Sequence, residues 1–586
     1  MNMLHANGAK HIFMVTGRGA LFLSDAVAGH KELKNVSMHH EQAAAYATVA
    51  YANYSEKLGA CLVSTGCAST NAITGVLNAW QDGIPCVFIS GQNKLKETTR
   101  FTGIPLRTFG QQEADIISVV QPITKYAVMI TDSNQIVYEM EKALHLAQTG
   151  RKGPVWIDVP LDIQNKRIEP NELEKFIAGN GSNYEPLKKD IEYVTKALHN
   201  AERPAILIGS GIRFADAVQD LKAFVEKYSI PVTYAGSAPD AYGLENPLSI
   251  GSVGIMGCSR AGNFTVQNSD LLLVLGCRLS PMTTDSDCSK FARAAKVVVV
   301  DIDSVEHSKN IINIDRLIVA DVKKFFEYLM SEDIKDTSVE WQNKCLHWKQ
   351  IFPKCEENHK TSEKVDLYYL AECLSETMPL NSVFLSDSGL IELMLPTNIS
   401  FKEDQRCIHP ASQGSMGFAL PAVIGAHFAS NRPIIAIIGD GSIMMNLQEL
   451  ETIRYNDVPA KIFIINNNSY AVIRKRQIDL FRSRTIGVDP SDGVSCPNFM
   501  KVADGFEIPY VKIDSSFELR KKLKSVINTD GPVLCEIIGL DDQDYISSSY
   551  ARNSKRRFVS RPIEDQAPFL DRNLFLSEMI IEPIDQ

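Results

Sequence analysis

Short apolar, β-branched runs recur along the chain and alternate with stretches of helical character. Residues 11–17 (HIFMVTG), 60–66 (ACLVSTG), 86–92 (CVFISGQ) and 155–160 (VWIDVP) are of the first kind, and residues 41–53 and 71–80 of the second. This alternation predicts βαβ units and a parallel sheet. Helices cover both faces of such a sheet, so its strands read as near-continuous apolar runs. The pattern pauses over residues 164–184, which are polar and irregular and predict a linker. It resumes with AILIGSG (205–211), IPVTYAG (230–236), DLLLVLGCR (270–278) and AKVVVVDID (295–303). A second polar region, 331–363, has helical character. A last block follows with VFLSDSG (383–389), PIIAIIGDG (433–441), AKIFIINNN (460–468) and PVLCEIIG (532–539). The expected fold is α/β, with three doubly wound parallel-sheet domains at 1–165, 185–335 and 363–540 and a C-terminal tail at 541–586. Blocks one and three look like two versions of one sheet, separated by a different one.

Composition narrows the class. The chain has 586 residues and a mass of 65.0 kDa, room for three or four domains at about 150 residues each. Hydrophobic residues make up 45% and charged residues 22%, which excludes a disordered or fibrous chain. Lys+Arg 60 against Asp+Glu 70 gives a net charge of −10, which argues against a nucleic-acid partner. No apolar run nears the ~18 residues of a membrane span, and the start lacks a signal-peptide pattern. The 12 cysteines form no CxxC spacing and read as core residues in a reducing compartment. The expectation is a cytoplasmic, multi-domain protein with neither a membrane nor a nucleic-acid partner.

Residues 439–473 carry the clearest chemistry. An apolar strand leads into Gly439-Asp440-Gly441-Ser442, helix-compatible residues follow to about Asn456, and a second strand ends at Asn466-Asn467. One right-handed βαβ unit puts Asp440 and Asn467 at carboxyl ends of neighbouring strands, where α/β sheets bind ligands. A carboxylate and an amide oxygen are hard ligands, suited to Mg²⁺ or Ca²⁺ rather than zinc. A helix start after Gly441 would offer free N–H groups to an anion, and Mg²⁺ held by so few ligands shares its shell with phosphates. A bare GDG is only turn chemistry; GDGS, a helix and a strand ending in NN together say more.

This segment resembles the thiamin-diphosphate-binding motif, GDG followed at a distance by NN. Residues 39–52 (HHEQAAAYATVAYA), 64–92, 111–116 (QQEADI) and 153–160 (GPVWIDVP) resemble the pyrimidine-binding domain of acetolactate synthase and its relatives. Residues 412–426 (SQGSMGFALPAVIGA) resemble the same family's diphosphate domain. The likeness covers about residues 5–540 and implies that the 1–165 domain binds the pyrimidine side of the cofactor and the 363–540 domain its diphosphate. It implies Mg²⁺ ligated by Asp440, Asn467 and the Ser469 carbonyl. Gly439, Gly441 and Ser442 would line the diphosphate, and Gly414, Ser415 and Met416 would lie under the bent cofactor. Ser64, Thr65 and Asn71 join the cofactor-binding set. Glu41 matches the glutamate that hydrogen-bonds the aminopyrimidine ring and gives it a proton, and Gln112 is the second catalytic candidate. Such a glutamate must be protonated to donate, which a water-poor pocket favours. Ala43, Ala44 and Ala45 suit burial, although a solvated helix-start glutamate is the alternative. His39 and His40 read as packing or supporting residues. With Glu41 and Asp440 on different domains, the resemblance implies a site shared by two chains. A homodimer would be the smallest active unit, and a homotetramer is common among relatives. In some relatives Gly209-Ser210-Gly211, residues 253–257 and residues 301–303 line FAD, and in others the domain is empty or binds another nucleotide, so FAD is a candidate for the central domain.

The chain departs from acetolactate synthases where they hold the second 2-oxo acid. Met282 stands at their arginine, Leu161 at their lysine, Arg476 at their tryptophan and Gln111 at their phenylalanine. Losing a bidentate arginine removes both energy and geometry from carboxylate recognition. Arg474, Lys475 and Arg476, with Arg552, Lys555, Arg556 and Arg557, point to a larger or more anionic substrate, or else to solvated charged faces. LRTFGQQEADI, ITKYAV and PFLDRNLFLSEMIIEP resemble acetolactate-synthase-like proteins associated with bacterial surface-polysaccharide synthesis. The expected enzyme is a thiamin-diphosphate-dependent carboligase/decarboxylase. It would decarboxylate a 2-oxo acid donor, pyruvate first, and ligate the product to a carbonyl acceptor, a nucleotide-activated sugar being the leading candidate. A simple decarboxylase and a non-catalytic cofactor-binding paralogue are the alternatives. The joint retention of Glu41, Asp440, Asn467 and Met416 argues against the last.

Overall fold

The structure, a computed structural model, describes residues 1–179, 184–309, 312–552 and 558–584. Three six-stranded sheets follow one another along the chain. The first contains β1 (His11–Met14), β2 (Lys34–Ser37), β3 (Gly59–Val63), β4 (Cys86–Gln92), β5 (Tyr126–Met129) and β6 (Val155–Pro160). The second contains β7 (Pro204–Ile208), β8 (Val232–Ala235), β9 (Ser249–Val253), β10 (Leu271–Leu275), β11 (Lys296–Asp301) and β12 (Arg316–Val319). The third contains β13 (Val383–Ser386), β14 (Arg406–Ile408), β15 (Ile434–Gly439), β16 (Ala460–Asn466), β17 (Tyr510–Ile513) and β18 (Val533–Ile538).

Strand order runs β2-β1-β3-β4-β6-β5 in the first sheet and β14-β13-β15-β16-β18-β17 in the third, one topology used twice. The middle sheet runs β12-β11-β10-β7-β8-β9. Read from its other edge this is the 3-2-1-4-5-6 order of dinucleotide-binding folds. Pairing is parallel throughout the three, from His11 opposite Lys34 to Tyr510 opposite Leu534. The α/β class, the three sheets and the likeness of blocks one and three therefore hold.

Helix Glu41–Ser55 explains how the first and third units join. Every residue from Ala43 to Ala52 is buried. The run is rich in alanine, and its small side chains let helix Ala419–Ala429 approach closely: a Cβ on Gly425 would come within 2.1 Å of the Ala47 carbonyl oxygen. One apolar core runs through both units, from Phe13 and Val49 to Val423 and Ile462. The middle sheet packs its own core, with Ile206, Phe224 and Phe326 at its centre. A buried charge cluster ties the three together. Arg406 beside β14 reaches Asp240 at 3.2 Å and Glu56 at 3.3 Å, and Arg213 reaches the same Asp240 at 3.1 Å.

Residues 541–552 and 558–584 are not a loose tail. Gln566 is buried and donates to the Gly254 carbonyl at 2.9 Å, and Glu564 pairs with Arg293 at 2.8 Å. Helix Arg572–Glu578 presents Glu578 to Trp348 Nε1 at 2.9 Å. That tryptophan lies on helix Val339–Ile351, the helical part of the polar region 331–363. The linker over 164–184 is largely irregular where it is described. No helix among the described residues is long and apolar enough to cross a membrane, and the twelve cysteines form no disulfide.

Candidate functional site

The segment around Asp440 folds as one tight turn. β15 and β16 lie side by side in register, with Gly439 opposite Ile465. The Asp440 carboxylate is buried and accepts three backbone N–H groups: Gly441 at 2.7 Å, Asn467 at 3.0 Å and Asn468 at 2.6 Å. Burial pushes its carboxyl up, and these N–H groups work against that shift by stabilising the charge. The Asn467 side chain accepts from Ser469 N at 3.3 Å. A side chain at Gly441 would drive a Cβ to 2.2 Å from the Tyr470 ring, so only glycine fits.

One expectation fails here. No α-helix begins after Gly441. A short 3₁₀ turn, Ile443–Met445, comes first, and the helix runs only from Glu449 to Tyr455. Asn446 interrupts the run because it is fully buried and spends its amide on Gln42 and on the Gly417 carbonyl. A diphosphate at this turn would meet Gly441, Ser442 and the cation rather than a helix N-terminus.

Gly414, Ser415 and Met416 form a loop held from below by Asp387 at the end of β13. The fully buried Asp387 carboxylate accepts Ser388 N at 2.8 Å, Gly417 N at 3.0 Å and Ala419 N at 2.7 Å. Burial pushes it up to about 6, against these bonds and one from Ser442. Asp387 thus links the 414–416 loop to the GDGS turn. It escaped the sequence reading because the aspartate in VFLSDSG carries no motif of its own.

On the first sheet, Glu41 opens its helix and is half-buried. Its carboxylate accepts Asn71 Nδ2 at 2.9 Å, so two predicted residues meet. His40 proves to be the cap of that helix, accepting Gln42 N at 3.2 Å through Nδ1. His39 N donates to Glu449 at 3.1 Å. Ser64 accepts Gly19 N at 3.1 Å, and Thr65 donates to the Gly91 carbonyl at 3.0 Å. Gln112 has a left-handed backbone (φ 58°), and its carbonyl presses so close to Gly66 that a Cβ there would sit 1.7 Å away. Thr65, Gln111, Gln112, Leu161 and Arg18 line one small cleft. Arg18, absent from the predicted set, donates to Gln111 Oε1 at 2.5 Å.

The predicted substrate residues divide. Gln111 stays in that cleft. Met282 and Arg476 converge instead on the loop after β9: the Met282 carbonyl accepts Ile255 N at 2.9 Å, and Arg476 Nη2 lies 3.7 Å from Met256 Sδ. The basic trio also divides. Arg474 pairs with Asp489 and Asp542 at 3.3 Å, and Lys475 with Asp479 at 3.3 Å. Arg476 has no carboxylate partner among the described residues. Of the second basic cluster, Lys555, Arg556 and Arg557 lie outside the described residues.

Three family descriptions match in order: the N-terminal TPP binding domain of thiamine pyrophosphate enzymes at residues 1–119, their central domain at 191–329 and their C-terminal TPP binding domain at 387–537. Acetolactate synthase 1, chloroplastic, of Zea mays is 30% identical over 551 residues, 91% of this chain and 83% of the relative. The acetolactate synthase large subunit of Cyanidium caldarium is 31% identical over 92% of both chains. That of Haemophilus influenzae is 28% identical over 96% of this chain and 97% of its own. The chain belongs to the thiamine pyrophosphate enzymes. It is an acetolactate synthase-like, thiamin-diphosphate-dependent carboligase/decarboxylase.

The residues of this thiamine pyrophosphate enzyme fit the family's cofactor. Ser469 Oγ, beside the Asp440 turn, is buried without a hydrogen-bond partner among the described residues. No group of three His, Cys, Asp or Glu side chains is assembled for a metal among the described residues. A cation here would take Asp440, Asn467 and a backbone carbonyl, and would need phosphate oxygens to complete its shell.

Between the three units lies a cavity of about 360 Å³. Gly211 after β7 and Gly276 after β10 meet there, where strand order reverses in the middle sheet. Ligands bind doubly wound sheets at this point. Met256, Met282, Arg278, Glu392 and His409 also line it.

Proposed function

We propose that this enzyme decarboxylates a 2-oxo acid, pyruvate first, and ligates the remaining acyl unit to a carbonyl acceptor, a nucleotide-activated sugar. The observation that carries this reading is the pair of half-sites on twin sheets: Glu41 with Asn71 on one, the Asp440 turn with Asn467 and Ser469 on the other. Thiamin diphosphate, when bound with Mg²⁺, supplies the carbon centre and electron sink for cleaving and making bonds next to a carbonyl. Asp440, Asn467 and Ser469 would hold the cation, and Gly439, Gly441 and Ser442 the diphosphate. Asp387 keeps the loop of Gly414, Ser415 and Met416 in place beneath it. Glu41 would give and take a proton at the aminopyrimidine, oriented by Asn71, with Ser64, Thr65 and Gln112 closing the site.

The altered acceptor side supports an acceptor other than a second small 2-oxo acid. Met282 offers no charge, whereas Arg476 holds a guanidinium unspent on any carboxylate among the described residues. The middle-sheet cavity supports a bound nucleotide, which we propose to be the nucleotide part of the acceptor rather than FAD. Purified protein that is coloured and releases flavin on denaturation gives that cavity to FAD and takes it from the acceptor.

We also propose that two copies complete the site, each giving its 1–165 unit to the other's 363–540 unit, with the 185–335 unit and the 541–586 tail alongside. Phe101, Ile104, Leu106 and Phe109 are exposed next to Gln111 and Gln112, and Met444, Met445 and Ile473 are exposed near the Asp440 turn. Apolar surface of this extent is ordinarily covered, and both patches border half of one site. Sedimentation should show a dimer or tetramer at micromolar concentration.

The deciding experiment supplies pyruvate and other 2-oxo acids with thiamin diphosphate and Mg²⁺, and follows CO₂ and product mass. A condensation product supports the reading. Free acetaldehyde alone makes the protein a decarboxylase, and no CO₂ from any 2-oxo acid overturns both.

A further inference from the structure

Glu392 and His409 form a buried pair on the wall between the three-unit cavity and the 414–416 loop. Glu392 lies on helix Leu390–Asn398 and His409 just beyond β14. His409 Nδ1 is 3.6 Å from Glu392 Oε1, and the two side chains are 7% and 12% exposed. The other carboxylate oxygen, Oε2, abuts the loop: a Cβ on Gly414 would come within 3.2 Å of it. Both residues also line the cavity.

The ring's hydrogen bonds fix its protons. His409 Nε2 lies 2.9 Å from the Gly236 carbonyl oxygen. A carbonyl only accepts, so Nε2 carries a hydrogen. Nδ1 then faces a carboxylate 3.6 Å away, beyond hydrogen-bond length, and one further proton belongs to the pair. It rests on the imidazole or on the carboxyl, and either way the pair holds one transferable proton. Burial raises the Glu392 carboxyl; burial lowers His409, but Glu392 outweighs it and leaves the imidazole above its ordinary value. The other charged groups facing the pair are accounted for. Asp82, from the first unit, also favours the charged imidazole, yet its own oxygens are taken by Ser412 N at 3.0 Å and Asn78 Nδ2 at 2.7 Å. Arg278, from the middle unit, lies across from Asp82 and is half-buried.

We propose that the Glu392–His409 pair delivers the proton that the acceptor's carbonyl oxygen takes up when the new carbon–carbon bond forms, and that the cavity beside it houses the acceptor. This rests on the carboligase reading above. In that step the acceptor's C=O π pair moves to oxygen as its carbon bonds the donor acyl unit, and the oxygen takes the proton from the pair. Solvent restores the proton, matching the one consumed per turnover as the donor carboxylate departs as CO₂. The pair has no part in releasing CO₂, so the two halves of the reaction should separate when it is changed.

The test uses Glu392→Gln and His409→Gln in the full chain with thiamin diphosphate and Mg²⁺. Pyruvate is the donor and acetaldehyde the acceptor probe, read as CO₂ and acetoin. The expected result is CO₂ release within about threefold of the parent and acetoin reduced at least tenfold, as removal of a general acid predicts (about 10²–10⁴). Acetaldehyde should accumulate. Equal losses of CO₂ and acetoin would mark a structural role and overturn the proposal, as would unchanged acetoin. A parent protein that releases CO₂ without acetoin removes ligation and this proposal together, and one that releases no CO₂ removes the whole reading. A second readout needs no cofactor: histidine-selective carbon-13 titration of the ligand-free protein. The resonance lost in His409→Gln should titrate above ordinary histidine and fall in Glu392→Gln. A midpoint that Glu392→Gln leaves in place overturns the pairing even if the variants lose activity.

Discussion

The first and third sheets have the same strand order and share one core, yet their carboxyl ends carry different equipment. The first presents Glu41 with Asn71, the pair proposed for proton traffic, and a cleft of Thr65, Gln111 and Gln112. The third presents a turn that gathers backbone groups on Asp440, with Asn467 and Ser469 beside it as the proposed cation ligands. Topology therefore decides where a ligand goes, and the loops after the strands decide what happens to it. The twin sheets lend themselves to tests that separate turnover from cofactor retention.

The largest expected effect is on turnover. Glu41→Gln keeps the hydrogen bond from Asn71 Nδ2, because an amide oxygen still accepts, but removes the exchangeable proton. CO₂ release under saturating cofactor should fall about 10²–10⁴-fold, while stabilisation of the protein by thiamin diphosphate and Mg²⁺ in a thermal-shift assay stays intact. Asp440→Asn should do the reverse. Its charge neutralises the cation, so cofactor retention should weaken by on the order of 100-fold, and excess Mg²⁺ should restore part of the turnover. If both variants lose cofactor equally, the division of labour between the sheets is wrong.

Next in size is the clasp that holds the twins to the middle unit. Arg406→Met leaves the buried Asp240 with Arg213 alone, and breaking a buried pair costs about 3–5 kcal/mol. Thermal unfolding should begin well below that of the parent. Trypsin should then cut between units before it cuts within them. Lys222→Met, which breaks the exposed pair with Glu403 at 3.0 Å, should leave both measurements unchanged.

The buried carboxylates Asp158 and Asp387 sharpen the contrast by pH. Asp158, between Ser90 Oγ at 2.6 Å and Gln92 Nε2 at 3.1 Å, is pushed up by burial to about 7, and Asp387 to about 6. Both folded values lie above that of an unfolded carboxyl, about 4. The folded chain thus binds more protons, so stability from these groups is full below about pH 4 and is lost as pH rises through 6 and 7. Asp158→Asn should flatten the fall in melting temperature between pH 5 and pH 8. Asp387→Asn should also loosen the 414–416 loop, because an amide cannot accept all three N–H groups. A parent whose melting temperature rises across that range contradicts the assignment.

How much of this was legible in the sequence follows from burial. Every strand run read from the sequence is there, and the six strands that went unread, β2, β5, β9, β12, β14 and β17, are the edges of the three sheets. An edge strand pairs on one side only and needs fewer apolar residues, as in KNVS of β2 or SIGSV of β9. Of the candidate cofactor residues, Asp440 and Asn467 stood out by type and spacing and the rest by resemblance to a known family; the structure brings Asp440 to Asn467 and Glu41 to Asn71. Asp387, His409 and Glu392 did not stand out, because their meaning comes from groups that meet only in three dimensions: Gly417 and Ala419 for the first, Gly236 and Gly414 for the others. The helix expected after Gly441 failed for the same reason, since Asn446 is committed to Gln42 on a helix of the first unit.

The smallest effect divides the basic trio of the third unit. Lys475 makes an exposed pair with Asp479 one helical turn away, worth about 0.3–0.5 kcal/mol. Arg476 sits one residue on, spends its charge on no carboxylate among the described residues, and lies against Met256 at the cavity wall. Lys475→Ala should therefore change neither stability nor kinetics. Arg476→Ala should leave CO₂ release from pyruvate alone untouched and raise the KM for an anionic acceptor by about tenfold, the loss of one charge-assisted contact. A neutral aldehyde acceptor should show no such change, because nothing in it needs the guanidinium. If Arg476→Ala raises both KM values alike, the residue shapes the wall rather than reading charge, and the third sheet's loops then contribute cofactor binding alone.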